Sequence, residues 1–221
     1  MSINVTELQN RIASMTDQSS TAPTAGGDDW NLRLMYLNMA QQEAFELYDW
    51  RFLYKEYGTR TSTSTGNTSI AMPGDFRKLG SYPVVNGYQY RETRAQERTK
   101  LLSTDQSVYF LGNPGDDYTM VINGVLGSGA SIVVPYYSSG NSLVSGNDIS
   151  MIPDPNYLVY RSIALLWEAR EDDRFPQAKA KAEQILSRML ERENVFSEGA
   201  NDASRVRTAE ETQYGFRLGR N

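Results

Sequence analysis

Near the start of the chain the apolar residues recur at helical steps. Val5, Leu8, Ile12 and Met15 lie three or four residues apart, and Asn4 can cap the first turn with Glu7 three residues on. This pattern predicts a short amphipathic helix from Asn4 to about Met15. Small, polar and helix-breaking residues follow from Ser19 to Gly27, and Asp28 is placed to open a second helix, whose N-terminus favours its charge. In that helix Trp30, Leu34, Leu37, Phe45, Tyr48 and Phe52 share one face, interrupted only by Gln41, while Met35, Leu47 and Trp50 widen the stripe. So broad a stripe predicts contact on more than one side.

From about Tyr54 to Ile149 the chain consists of short β-prone runs separated by turn residues. Thr59 to Thr65 precedes Gly66-Asn67, Ser69 to Met72 precedes Pro73-Gly74-Asp75, and Tyr82 to Tyr90 breaks at Asn86-Gly87. Sequential hairpins are the simplest expectation. Ser107 to Leu111, Tyr118 to Asn123 and Ser131 to Tyr137 are further strands, joined through Asn113-Pro114-Gly115-Asp116 and a glycine-rich stretch containing Gly124, Gly127 and Gly129. Together these runs predict an antiparallel sandwich or small barrel.

Helix returns at Ile152-Pro153-Asp154-Pro155, where Asp154 is a good N-cap and Pro155 suits the first helical position. The run Tyr157 to Arg170 is apolar around most of its circumference through Tyr160, Ile163, Ala164, Leu165, Leu166 and Trp167. A charged corner from Glu168 to Arg174 then leads into a final helix. Ala178, Ala182, Ile185, Leu186, Met189 and Leu190 lie on one side of it, and Lys179, Lys181, Glu183 and Arg188 on the other. The last two helices are expected to form an antiparallel hairpin. From Phe196 the pattern dissolves into a tail that cannot order itself alone.

The expected fold class is α+β: a helical body built from the N- and C-terminal helices, an inserted antiparallel β-sandwich or small barrel, and an extended C-terminal tail. The boundaries fall at residues 1–55, 56–150, 151–195 and 196–221, the last being a partner-binding tail.

Composition narrows the chemistry. The 221 residues contain no Cys and no His, which excludes disulfides, thiol nucleophiles, iron–sulfur sites, Ser-His-Asp triads and ordinary zinc enzymes. Twenty-two basic against 27 acidic residues leave a charge of −5, the wrong balance for wrapping nucleic acid through its phosphates. Met1 to Arg11 is polar and no apolar run approaches the ~20 residues that span a bilayer, so a non-secreted chain without membrane contact is expected.

Three acidic pairs, Asp28/Asp29, Asp116/Asp117 and Asp172/Asp173, are possible carboxylate chemistry. Each sits at a helix start or turn, where Asp serves local hydrogen bonding. The cluster Arg91, Arg94, Arg98 and Lys100 near Tyr88 and Tyr90 is diluted by Glu92 and Glu97, and reads as a solvated loop or intersubunit surface before it reads as a phosphate site. Glycines 124, 127 and 129 lack a nucleotide-binding fingerprint. Tyr136-Tyr137 fits strands and interfaces better than a sugar platform, and Trp30, Trp50 and Trp167 fit a core or subunit contact. No catalytic, cofactor or metal residue is assigned.

The order of segments resembles the head-to-tail connectors, or adaptors, of tailed bacteriophages, in the style of tail tubular A and portal-ring adaptor proteins. The resemblance covers residues 3 to 195 and is carried by Tyr48-Asp49-Trp50-Arg51-Phe52, by Met72-Pro73-Gly74-Asp75-Phe76-Arg77-Lys78-Leu79, by Ile132-Val133-Val134-Pro135-Tyr136-Tyr137, by Ile152-Pro153-Asp154 and by the helix pair from Tyr157 to Val195. It implies a structural, non-enzymatic virion protein made in the host cytoplasm. Such a protein would form a cyclic ring of about twelve copies between portal and tail, contacting the portal protein and tail or head-completion proteins. DNA would pass through its channel without sequence-specific binding.

Within that reading the tail is the expected portal clasp. Arg205, Arg207, Arg217 and Arg220 alternate with Tyr214, Phe216 and Leu218, a mixture suited to grooves on another protein. Two other classes remain open: a tail or baseplate protein with a carbohydrate-binding β-domain, and, more distantly, a carboxylate glycosidase.

Overall fold

The computed structural model describes residues 3–19, 21–60, 67–102, 104–113 and 118–194. The chain divides into two units, Met1–Ala44 with Leu143–Asn221 and Phe45–Ser142. The fold is α+β, with helices in the first unit and two sheets in the second. Asp116/Asp117, residues 61–65 of the expected strand and every candidate residue of the tail lie outside the described residues.

In the helical unit, α1 spans Val5–Thr16 and opens as its sequence directs, with the Asn4 Oδ1 accepting from the Glu7 N–H at 2.9 Å. Its buried stripe runs through Val5, Leu8, Gln9, Ile12 and Ala13. Met15, expected on that stripe, is 40% exposed because it falls at the stripe's edge and Ala13 completes the inner face instead. Helix α2 spans Asp28–Leu47. Its inner face is Trp30, Arg33, Leu37, Ala40, Gln41, Ala44 and Phe45, while Met35, Met39 and Leu47 are exposed. The broad stripe expected from the sequence is therefore narrower. Tyr48, Trp50 and Phe52 lie beyond the helix end, with residues 51–53 in a 3₁₀ turn, and polar Arg33 takes an inner position because Asp17 neutralises it there.

Helix α3 spans Pro155–Ala169, capped by Asp154, whose carboxylate accepts from the Asn156 N–H at 3.0 Å. It is buried from Tyr157 to Val159 and again from Ser162 to Trp167, and α1 packs against it. The three tryptophans are core residues, Trp30 at 5%, Trp50 at 0% and Trp167 at 9% exposure. At the corner, Glu171 takes a left-handed φ of 53° and Asp172 accepts from the Arg174 N–H at 2.9 Å, opening helix α4 over residues 175–194. Its buried face is Ala178, Ala182, Ile185 and Met189, with Leu186 and Leu190 half-buried and Lys179, Lys181, Glu183 and Arg188 outside.

The first and last parts of the chain are joined by the segment returning from the β unit. Val5 N–H donates to Asp148 O at 2.9 Å and Thr6 N–H to Gly146 O at 3.0 Å. Asn38 clamps Leu143 in both directions, donating to its carbonyl at 2.9 Å and accepting from its N–H at 2.8 Å. Arg161 grips Glu43 with two bonds of 2.6 and 3.0 Å.

The β unit is a two-layer sandwich. One sheet contains β1 (Tyr54–Arg60), β3 (Phe76–Leu79), β4 (Val84–Val85), β5 (Tyr88–Gln89) and β9 (Ser131–Ser138). In it β1 lies along one side of β9, and β3 and β4 pair with β9 as well. The second sheet runs β2 (Asn67–Ala71), β8 (Thr119–Val125), β7 (Ser107–Leu111), β6 (Arg91–Glu92). Phe76, Val85, Ile132, Val134 and Tyr136 from the first sheet and Ile70, Val108, Met120 and Ile122 from the second share one apolar core. The expected strands are present, but most of the expected sequential hairpins are not. β1 and β2 belong to different sheets, and β6 pairs with β7 in parallel, which departs from an all-antiparallel sandwich. Alternation decides which face of a strand is buried and says nothing about its neighbour. Successive strands do pair antiparallel at β7 with β8 and at β4 with β5, and the latter carries the strongest local signal: Asn86 and Gly87 both adopt positive φ, at 50° and 85°.

Candidate functional site

Three of the segments that carry the adaptor resemblance converge in the β unit. After α2 ends, Tyr48, Trp50 and Phe52 form a chain of rings, with centroids 5.3 Å apart between the first two and 5.6 Å between the second and third, and Phe45 lies 6.1 Å from Phe52. Between these rings Asp49 points to the β3 segment, where Arg77 Nη2 meets one carboxylate oxygen at 2.8 Å and Lys78 Nζ the other at 2.6 Å. Arg77 also donates to the Phe45 carbonyl, one of the carbonyls left open at the end of α2. The Tyr137 ring of β9 faces both cations, 6.0 Å from Arg77 and 5.7 Å from Lys78, and packs edge-on against Tyr54.

A second acid completes the arrangement. Asp75, in the turn before β3, receives Lys55 Nζ at 2.6 Å and the Tyr136 hydroxyl at 3.0 Å. Burial alone would raise the pKa of Asp75, but the hydrogen bonds from Lys55 and Tyr136 and the charge of Lys55 outweigh it and hold the carboxyl below its ordinary 3.8. The same contact acts oppositely on Tyr136. Burial first, then the hydrogen bond to Asp75 and its negative charge, push that phenol up to about 12. Two glycines make room. A Cβ on Gly80 would come within 2.6 Å of the Tyr54 ring, and one on Gly140, whose φ is 81°, would run into Phe45. The node leaves no carboxylate oxygen of Asp49 or Asp75 without a donor, while the buried Arg77 Nε has no partner. It braces a helix end against a sheet and presents no poised nucleophile.

The other candidates fall elsewhere. Asp28/Asp29 stand in the first turn of α2 and Asp172 caps the corner before α4, both local roles. Arg91, Arg94, Arg98 and Lys100 are exposed, the last two on a 3₁₀ stretch, and Tyr88 is 65% exposed on the β4–β5 hairpin. Tyr136 and Tyr137 belong to the node. Among the described residues no three acidic side chains gather as a metal site would require, and no helix is long and apolar enough to cross a membrane.

A model of the SU10 adaptor protein family matches residues 3–209, nearly the whole chain and both of its units. The chain belongs to that family. The family is a phage head–tail adaptor family, which makes this adaptor a structural component of the virion. No curated protein matches its sequence.

Sequence reasoning quoted Asp49, Asp75, Arg77 and Lys78 of the adaptor within motifs but gave them no role. The available signal was charge complementarity, an acid amid aromatics in Tyr48-Asp49-Trp50 and two cations in Phe76-Arg77-Lys78-Leu79. Those segments are 28 residues apart at Asp49 and Arg77, and nothing in their periodicity pairs them.

Proposed function

We propose that the adaptor forms a cyclic ring of about twelve copies beneath the portal, extending the DNA channel toward the tail. It acts without catalysis and holds no cofactor. The observation that carries this reading is the family match, which spans helical and β units together. The adaptor's charge of −5 supports passage of DNA by disfavouring lasting phosphate contact. Met35 and Met39, 46% and 43% exposed on the outer face of α2, support contact with a neighbouring copy. The β unit serves as a docking module for tail or head-completion proteins, and Arg205, Arg207, Tyr214, Phe216, Arg217, Leu218 and Arg220 clasp the portal.

The test is electron microscopy of the purified chain with and without its cognate portal. A ring that caps the portal is expected, and particles that stay monomeric beside bare portals would reject the reading. The clasp has its own test. The 26 residues from Phe196 to Asn221 reach about 85 Å if extended at ~3.3 Å each, enough to cross a subunit boundary. A chain ending at Val195 should melt as the full chain does while losing portal capture; portal binding at full affinity would refute the clasp.

A further inference from the structure

The β unit carries a hollow whose lining shares no residue with the node. Strands β5 and β6 and the start of β7 line an open space of ≈ 570 Å³, within the size range of small-molecule sites. Its walls include Tyr82, Gln89, Arg91, Thr93, Gln106 and Ser107. Tyr82 is 53% exposed, a broad aromatic surface left in water. The side chains of Gln89, Arg91, Thr93 and Gln106 make no hydrogen bond or ion pair with another described residue. Ser107 is only 4% exposed and its hydroxyl has no partner, a buried polar group whose desolvation nothing in the chain offsets. The hollow thus combines unspent donors and acceptors with one exposed ring.

The lining discriminates among ligand classes. Its one cation, Arg91, is balanced by Asp105, and Glu92 and Glu97 offset two of the three nearby cations Arg94, Arg98 and Lys100, so a polyanion finds little net attraction. Asp105 is the only carboxylate in the wall, too few for a metal. A peptide adding as a strand needs free backbone groups. Here the N–H groups of Tyr90, Arg91 and Thr93 are spent on Pro83, Gln106 and Val108 at 2.8 to 2.9 Å. A lipid would leave the amides and the guanidinium unpaired. What remains is a neutral ligand rich in hydroxyls, each both donor and acceptor, with a flat C–H face to lie on Tyr82.

We propose that this hollow is a binding site for a neutral oligosaccharide, with Tyr82 as the stacking platform and Gln89, Arg91, Gln106 and Ser107 as its hydrogen-bonding wall. Sugar binding and ring formation are read by different measurements, so failure of the one would leave the adaptor reading untouched.

The probes are maltohexaose, cellohexaose and chitohexaose, titrated into the full chain by calorimetry and by saturation-transfer NMR. At least one should bind saturably. Tyr82→Ala and Gln106→Ala should each weaken that binding about tenfold, the effect of losing one good contact. Tyr88→Ala removes an even more exposed ring, from the β4–β5 hairpin but outside the hollow, and should change affinity less than about twofold. Melting curves of the variants matching the wild-type curve exclude unfolding as the cause, and Gln89→Ala serves in place of any variant that does unfold. No saturable binding by any of the three sugars would overturn the proposal. So would equal losses from Tyr82→Ala and Tyr88→Ala, or tighter binding of single-stranded DNA than of any sugar.

Discussion

The two units solve the problem of a stable body in opposite ways. The helical unit is assembled from the two ends of the chain, and its halves meet through helix packing and a seam of hydrogen bonds from residues 143–148 to α1 and α2. Its ion pairs among the described residues are dispersed: Arg11 with Glu7, Arg33 with Asp17, Arg161 with Glu43, Arg174 with Asp172. The β unit is one continuous stretch whose two sheets share an apolar core, and among the described residues its ion pairs are concentrated at one aromatic node. Its own ends also meet, because Phe45 lies against Gly140. An inserted unit whose ends adjoin interrupts its host at little entropic cost, which lets a helical body carry a β excursion near its middle.

The sharpest way to break this contrast uses one tryptophan from each unit. Trp50 is fully buried within the node and Trp167 is 9% exposed beneath the Arg174 guanidinium, 4.5 Å from its ring. Each change to Ala should cost about 3–5 kcal/mol, Trp167 at the lower end. If the β unit is semi-independent, Trp50→Ala lowers one calorimetric transition and Trp167→Ala another. A single transition lowered equally by both would show one cooperative body.

How far each unit could be read from its residues follows the same division. Asn4 with Glu7, Asp154-Pro155 and Asn86-Gly87 act on backbone a few residues away, so the helix starts and the hairpin turn were legible. The end of α2 was not, because Tyr48 and Phe52 keep the helical period while Arg77 and Lys78 draw Asp49 out of it from the β3 segment. Likewise Ser107 to Leu111 was readable as a strand, but its parallel neighbour β6 is too short to announce itself. The hollow is illegible for a related reason: in sequence the Arg91 region shows only its charges, whereas its uncommon feature is unpaired hydrogen-bonding capacity.

The dispersed and concentrated ion pairs should respond differently to loss of one partner. Arg33 is 3% exposed and Asp17 is its anion; burial alone would raise the Asp17 pKa, but the hydrogen bonds from Arg33 and Thr16 hold it below 3.8. Asp17→Ala strands a buried cation and should cost roughly 3 kcal/mol by chemical denaturation. A cost below that of Asp75→Asn would place Arg33 in water after all.

At the node the penalty is smaller and its pH dependence has two limbs. Asp75→Asn should cost about 1 kcal/mol, because Lys55 and Asp75 are both partly in water. The folded Asp75 pKa lies below 3.8, so its contribution is complete above that pH and fades as pH falls through the folded value. Tyr136 is raised from 10.0 to about 12, so its contribution is complete below pH 10 and is lost as pH climbs toward 12. Tyr157 in the helical unit is also raised to about 12, by burial and then by Glu43. Alkaline unfolding should therefore begin above pH 10 in both units. Tyr136→Phe should weaken that limb in the β unit, where Tyr118 and Tyr137, also raised by burial, keep part of it, and Tyr157→Phe should weaken it in the helical unit; tyrosinate absorbance in these two variants would reveal any unit that titrates early.

The smallest effect on the single chain is expected at Met35 and Met39, and there the two units differ in what they leave uncovered. The two residues are four apart on α2, hence one turn apart on the same outer face, and both keep nearly half their surface in water. Gln has nearly the helix propensity of Met, so the double change Met35→Gln, Met39→Gln should alter monomer stability by less than about 0.5 kcal/mol. If a neighbouring copy covers this face, the same change places two amides in an apolar contact and should shift the mass measured by light scattering from ring to free subunit. Truncation after Val195 should do the reverse, leaving the ring and losing the portal. A double variant that still forms full rings would show that the outer face of α2 is not the subunit contact, while the portal clasp would still be judged by the truncation alone.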